Sequence, residues 1–210
     1  MSRTLAAIAF AALVCGCQAA GEALPTPSAS PMPHTPVAEV VLRAADVQTG
    51  LQACPGTGPI SMYIAYLQTA QPALAQTTTK QWLQLHAQGA TNAAVATFAS
   101  DPLACAAELA ATSSAKAESS FVVAFGDAGQ ADRAWQAGVL GFAPPAQGEQ
   151  PPGLTRGTGT GLGESSWTYI NPPVRLASWR KSVFVAVVVT TNLDASALKD
   201  ATAAVDARLN

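Results

Sequence analysis

The sequence predicts an α+β fold: one antiparallel sheet of about 4–5 strands, mostly C-terminal, packed by helices. Three observations carry this. Early in the chain, Ile60, Tyr63, Ile64 and Leu67 recur at i, i+3, i+4 and i+7, the spacing of one helix face. Later, residues 121–125 and 183–191 are β-branched and aromatic runs of strand length. Finally, the late strand candidates follow one another across short turns, which favours antiparallel pairing over crossovers.

Taken in order, residues 42–52 carry Leu42, Val47 and Leu51, with Asp46 early, and read as a short helix. Residues 54–59 (Cys-Pro-Gly-Thr-Gly-Pro) form a turn, and Pro59 is suited to open the helix over 60–70. Pro72 ends that helix. Thr78 or Thr79 caps a third one, with Trp82 and Leu85 on a shared face and Gly89 as its stop. Residues 93–99 read as a strand, and Pro102 starts a short helix running through Cys105 to Leu109. A strand over 121–125 gives way at Gly126-Asp127 to a helix over 128–138, with Ala131, Ala134 and Trp135 on one side. Residues 141–156, rich in Pro and Gly, form a surface loop. Strands follow over 166–170, 174–180 and 183–191, the last apolar on both faces and suited to the sheet centre. A terminal helix presents Leu198, Ala201, Val205 and Leu209 along one stripe.

The N-terminus has a different character. Arg3 precedes an uncharged apolar run over 5–14, followed by Val14-Cys15-Gly16-Cys17. Such a run is shorter than the roughly 20 residues a membrane-spanning helix needs. The pattern resembles bacterial lipoprotein precursors, with Cys17 at the acceptor position; Val14 and Cys15 depart mildly from the residues usual before that cysteine. The resemblance implies removal of residues 1–16, acylation of Cys17 as the first mature residue, and stable attachment to a membrane on its extracytoplasmic side. Residues 18–37 then alternate Pro with Thr, Ser and Ala, and His34 lies among them. Proline fixes φ and lacks an N–H, so this stretch reads as an extended spacer. The organisation is therefore leader 1–17, tether 18–37 and a single domain over 38–210, a size at which one chain segment buries a sizeable core.

Charge narrows the function classes. The chain has 11 Lys+Arg against 13 Asp+Glu, for a formal net charge of −2, with no basic cluster. Nucleic acid is excluded as the expected partner. Of 4 cysteines, Cys15 leaves with the leader and Cys17 takes lipid. Cys54 and Cys105 remain as an even pair in an exported domain and are expected to form a disulfide.

No catalytic constellation emerges. The glycine series 157–163 lacks the spacing of a dinucleotide fingerprint and precedes a strand rather than a helix, so it reads as a loop, with ligand contact as the lesser alternative. With only 2 histidines, His34 and His86, no serine triad can be assembled around Ser165 or Ser166. Asp46, Glu108, Glu118, Asp127, Glu164 and Asp194 fall near element ends and read as caps or surface groups. No cofactor or metal is expected. Trp82, Trp167, Trp179, Tyr169 and Arg180 are the candidate ligand contacts, set against the alternative that the rings fill the core.

The Gly161-Leu162-Gly163 lead into a strand, and the run 179–192 followed by a helix ending in Val205-Asp206-Ala207-Arg208-Leu209, are similar to exported lipoproteins and extracellular sensor-like domains of high-GC bacteria. The sensor domain of mycobacterial serine/threonine kinases is the more distant likeness. The leading expectation is a non-enzymatic surface lipoprotein that binds a small molecule, an envelope component or a protein. An envelope-acting hydrolase using acidic residues and a structural accessory of the envelope are the alternatives.

Overall fold

The computed structural model describes residues 35–146 and 148–210. The expected leader, Cys17 and residues 18–34, His34 among them, lie outside the described residues. Val37, the last residue of the expected tether, opens helix α1 (Val37–Val40) and is 2% exposed, so the fold begins there. The helix expected over 42–52 is absent. Its place is taken by turns, because the Asp46 carboxylate accepts from the Arg43 N–H (2.8 Å) and Gly50 takes a φ of +93°. An aspartate bonded to its local backbone competes with helix in this way.

Eight strands form one antiparallel sheet: β1 (Gln52–Ala53), β2 (Gly58–Pro59), β3 (Ala90–Ala99), β4 (Ala117–Phe125), β5 (Leu154–Arg156), β6 (Ser166–Asn171), β7 (Val174–Lys181) and β8 (Phe184–Thr191). Their order is β1-β3-β4-β8-β7-β6-β5, with β2 also paired to β3. The α+β class and the antiparallel sheet are as expected, and β8 lies at the centre. The strand number exceeds the expected 4–5 because β1, β2 and β5 are only two or three residues long, too short for an alternating pattern.

The helices cover both faces. On one face Val95, Phe121, Val123, Phe125, Val185 and Val187 meet α2 (Ile60–Ala70), α3 (Pro72–Ala87) and α4 (Ala128–Ala137). On the other, Ala94, Ala96, Val122, Ala124, Ala186 and Val188 meet α1 and α5 (Ala195–Asp206). Small side chains at the middle of this second face admit the Ala197 and Ala201 side of α5 closely, while Trp179 and Phe184 fill the space beside them. Each large apolar side chain so buried contributes about 1.5–3 kcal/mol.

Local signals fix the helix ends. Pro72 supplies no N–H for α2 and disfavours helical backbone at Gln71, which turns at φ −153°; Pro72 itself then starts α3. The third helix therefore begins well before Thr78. Thr79 lies inside it and donates to the Ala75 carbonyl (2.7 Å) instead of capping. Asp127 and Asp194 cap α4 and α5 through backbone N–H groups, as their positions suggested.

Three polar ties reach the interior. The Tyr63 hydroxyl accepts from the Leu109 N–H (3.1 Å) while Ser119 donates to the Leu109 carbonyl (2.7 Å), pinning Leu109 at a left-handed φ of 47°. Burial pushes the Tyr63 hydroxyl up to about 12. Arg208 grips the start of the domain, bonding the Val40 and Val41 carbonyls (3.1 Å each) and Asp46 (2.7 Å). Burial works against the Asp46 charge, but the Arg208 and Arg43 bonds and charges outweigh it and hold the carboxyl below its usual range. The third tie is Glu118. It lies near the start of β4 but is not the surface group expected: it is 1% exposed and accepts the Gln48 N–H (3.0 Å). Burial raises its pKa; the Gln48 bond opposes this, and the carboxylates of Asp200, Asp194 and Asp46 add to the rise.

Cys54 and Cys105 are joined in a disulfide, with Cα atoms 5.5 Å apart. Around it Ala99, Ala104, Ala110, Ala115 and Ala117 form a small-residue cluster at the β1 edge. No helix among the described residues is long and apolar enough to cross a membrane.

Two predictions follow from these contacts. Removing the cross-link with paired Cys54→Ala and Cys105→Ala frees a 51-residue separation in the unfolded chain. Denaturant unfolding should show a loss of about 2–4 kcal/mol. For Glu118, the folded state keeps the proton to higher pH than the unfolded chain. Stability therefore falls as pH rises from the ordinary value of 4.5 through the raised one, and stays lower above it. Glu118→Gln keeps an acceptor for Gln48 and removes the titration. Melting temperatures should rise at neutral pH and lose this decline; a variant less stable than the parent at pH 7 refutes it.

Candidate functional site

The residues that shape a usable cleft come from α4 and from the flank of the sheet formed by β5 and β6. Strand β6 alternates, so Trp167 and Tyr169 point to the α4 face and Ser166 and Thr168 to the α5 face. Trp167 pairs in register with Arg156 of β5 and Ser178 of β7. Above it, Trp135 projects from the last turns of α4. The turn at 157–160 ends at Gly161, whose left-handed φ of 79° returns the chain toward β6. These pieces enclose a cleft of about 440 Å³, lined by Trp135, Pro144, Arg156, Thr158, Glu164 and Trp167, with Gly157 and Ser166 completing the wall. That volume lies within the ~300–1,000 Å³ typical of small-ligand sites.

Two walls are rigidly held. Arg156 donates to the carbonyls of Pro145 (2.7 Å), Ala146 (2.9 Å) and Glu149 (2.9 Å), so its guanidinium fastens the adjoining proline-rich segment. Ser166 donates to the carbonyls of Gly157 (3.0 Å) and Gly163 (2.5 Å) and meets the Thr160 hydroxyl (2.6 Å), closing the glycine series into a fixed loop. Gly153 is required behind this wall: with φ at +86°, a Cβ there would lie 2.2 Å from the Ile170 carbonyl oxygen.

The chain matches no protein-family model, no curated protein and no solved structure.

The cleft has an unusual polar feature. The indole N–H groups of Trp135 and Trp167 are buried and meet no acceptor, and the Ser178 hydroxyl, paired in register with Trp167, is also buried without a partner. Each such group carries a cost of about 1–3 kcal/mol. The Glu164 carboxylate and the Thr158 hydroxyl, both on the lining, make no hydrogen bond or ion pair among the described residues. Among the described residues no three of His, Cys, Asp and Glu are grouped to hold a metal ion.

The structure divides the sequence candidates. Trp167 lies on the cleft, 7% exposed, and Tyr169 packs on the same face one pair along the strand. Trp179 lies on the opposite face, fully buried, its indole donating to Asp206 (3.0 Å); it belongs to the α5 packing, not to the cleft. Trp82 packs on α3 edge-on to His86, with ring centroids 6.0 Å apart, outside the cleft lining. Arg180 reaches α4, its Nε 3.1 Å from Asp132, which braces the helix that carries Trp135. Of the five, only Trp167 lines the cleft.

Sequence reasoning missed Arg156, Thr158 and Glu164 as cleft residues, and weighed Trp135 with the other tryptophans as groove or core. Trp135 shares a helix side with Ala131 and Ala134, the pattern of a core residue. The glycine series held the usable signal: its lesser reading as a ligand-contacting loop fits Gly157 and Thr158 on the lining.

Replacing Arg156 by alanine should leave the three carbonyls to water. The variant should lose about 1–3 kcal/mol in denaturant unfolding. Amide exchange should accelerate at Ala146 and Glu149, whose N–H groups are bonded within the fastened segment; unchanged exchange there refutes the clamp.

Proposed function

We propose that this chain is an exported lipoprotein, held to a membrane through acylated Cys17, whose domain binds a small ligand in the cleft between α4 and the β5–β6 flank. The observation that carries the binding reading is the pair of orphaned indole donors in Trp135 and Trp167 on one ligand-sized cleft. Buried donors without acceptors are costly, and a ligand whose entry lets the rings reach an acceptor recovers that cost. The reading as a binding domain also fits the carboxylate count of the lining. Glu164 is its one acid, whereas a hydrolase working by paired carboxylates needs two, about 5–10 Å apart. The anchor reading rests on the Val14-Cys15-Gly16-Cys17 pattern, and the Cys54–Cys105 disulfide agrees with an oxidising compartment.

Labelling with an alkyne fatty acid tests the anchor. The parent chain should take the label and sediment with membranes, while Cys17→Ala should do neither. An unlabelled parent chain overturns the anchor and leaves the cleft untouched.

A further inference from the structure

We infer that the cleft is built for a neutral saccharide, its ring lying on Trp135 and its hydroxyls meeting Glu164 and Thr158; this rests on the cleft being the binding site. Four features of the lining select that chemistry. The first is aromatic. Trp135 is partly exposed at the cleft wall, and an indole face offers an apolar platform for the C–H side of a sugar ring. The second is the set of uncommitted polar groups. The Glu164 carboxylate accepts hydrogen bonds only, the Thr158 hydroxyl both donates and accepts, and neither is engaged by the protein. Sugar hydroxyls, each donor and acceptor at once, complement both.

The third feature is charge. Arg156 lines the cleft, but its bonds go to three backbone carbonyls, so it has few donors left to clasp a carboxylate or phosphate in the forked geometry that makes arginine selective for anions. Glu164 repels an anion, and the Arg156 charge disfavours a cation, which leaves a neutral ligand as the best match. The fourth is the orphaned pair of indole N–H groups. Ring and hydroxyl oxygens are acceptors of the right kind, and a modest rotation of either indole toward an occupied cleft would satisfy a donor that the empty fold leaves unpaired. An aliphatic ligand would satisfy neither the indoles nor Glu164.

The test uses the full chain, labelled with ¹⁵N, following the indole N–H signals of Trp135 and Trp167. The probes are mannose, N-acetylglucosamine and maltose, with glucuronate, glucose 6-phosphate, leucine and octanoate for comparison. At least one neutral sugar should shift both indole signals saturably, and the two anionic sugars should bind at least about tenfold more weakly. Trp135→Ala should weaken the sugar by about tenfold and Glu164→Gln by less, with Trp82→Phe at parental affinity. Saturable shifts of the same signals by leucine, octanoate or an anionic sugar, without a neutral sugar binding as tightly, overturn the saccharide assignment and keep the cleft as a binding site. Shifts by none of the probes overturn the saccharide assignment. Saturable shifts confined to residues outside the cleft overturn the site itself.

Discussion

The structure depends on a single constraint, the strict alternation of side chains along β4 and β8. Both strands lie inside the sheet and are buried from end to end. Their odd-numbered residues, Phe121, Val123, Val185 and Val187, build one apolar layer, and their even-numbered residues, Val122, Ala124, Ala186 and Val188, build the other. A slip of one residue in their register would exchange the large and small layers. Helices α2 to α4 would then meet Ala124 and Ala186 where Val123 and Val185 now stand, and the α5 face would receive Phe121 in place of Val122.

Burial on both faces leaves little room for polar groups, and each one present is informative. Around β4 several are answered: Tyr63 and Ser119 take the two backbone groups of Leu109, and Glu118 takes the Gln48 N–H. At the β5–β6 flank, where the sheet narrows to short strands, Trp135, Trp167 and Ser178 are left without partners. Buried hydroxyls elsewhere, those of Thr97, Thr190 and Thr191, also lack partners, but at this flank the unpaired donors are indoles bordering a ligand-sized cleft. That contrast makes this flank the natural place to look for function.

Much of the architecture was legible because it is written in short-range pattern. The helix over 60–70 has the predicted boundaries, the α5 stripe of Leu198, Ala201, Val205 and Leu209 is buried throughout, and the run in β8 marks the sheet centre. What escaped was decided by partners distant in sequence. Nothing local distinguishes Trp179 from Trp167; their roles differ because β6 and β7 alternate, so that the two indoles fall on opposite faces. Glu118 reads as a solvated acid until Gln48, 70 residues away, is laid over it. The turns over 42–51 stand where a helix was expected: Asp46 bonds the nearby Arg43 N–H and, in the same geometry, Arg208, 162 residues distant. The cleft itself joins a helix, a proline-rich segment and a glycine loop, and its lining cannot be assembled from any one of them.

The grip of Arg208 has a mechanical side. The segment entering the domain at Thr35 runs beside the last residue, its N–H facing the Asn210 carbonyl at 3.4 Å, and α1 is fastened next to it through Val40, Val41 and Asp46. A pull transmitted along the chain ahead of Thr35 therefore reaches the Asn210 contact first, and then α1, which packs on β3 and β4 and is held by this guanidinium. The load falls first on a small, re-formable knot of bonds between the two ends of the domain. The cleft lies at the opposite edge of the sheet, with β8 and β7 between it and the strands on which α1 packs, so the strands that shape it do not carry that attachment.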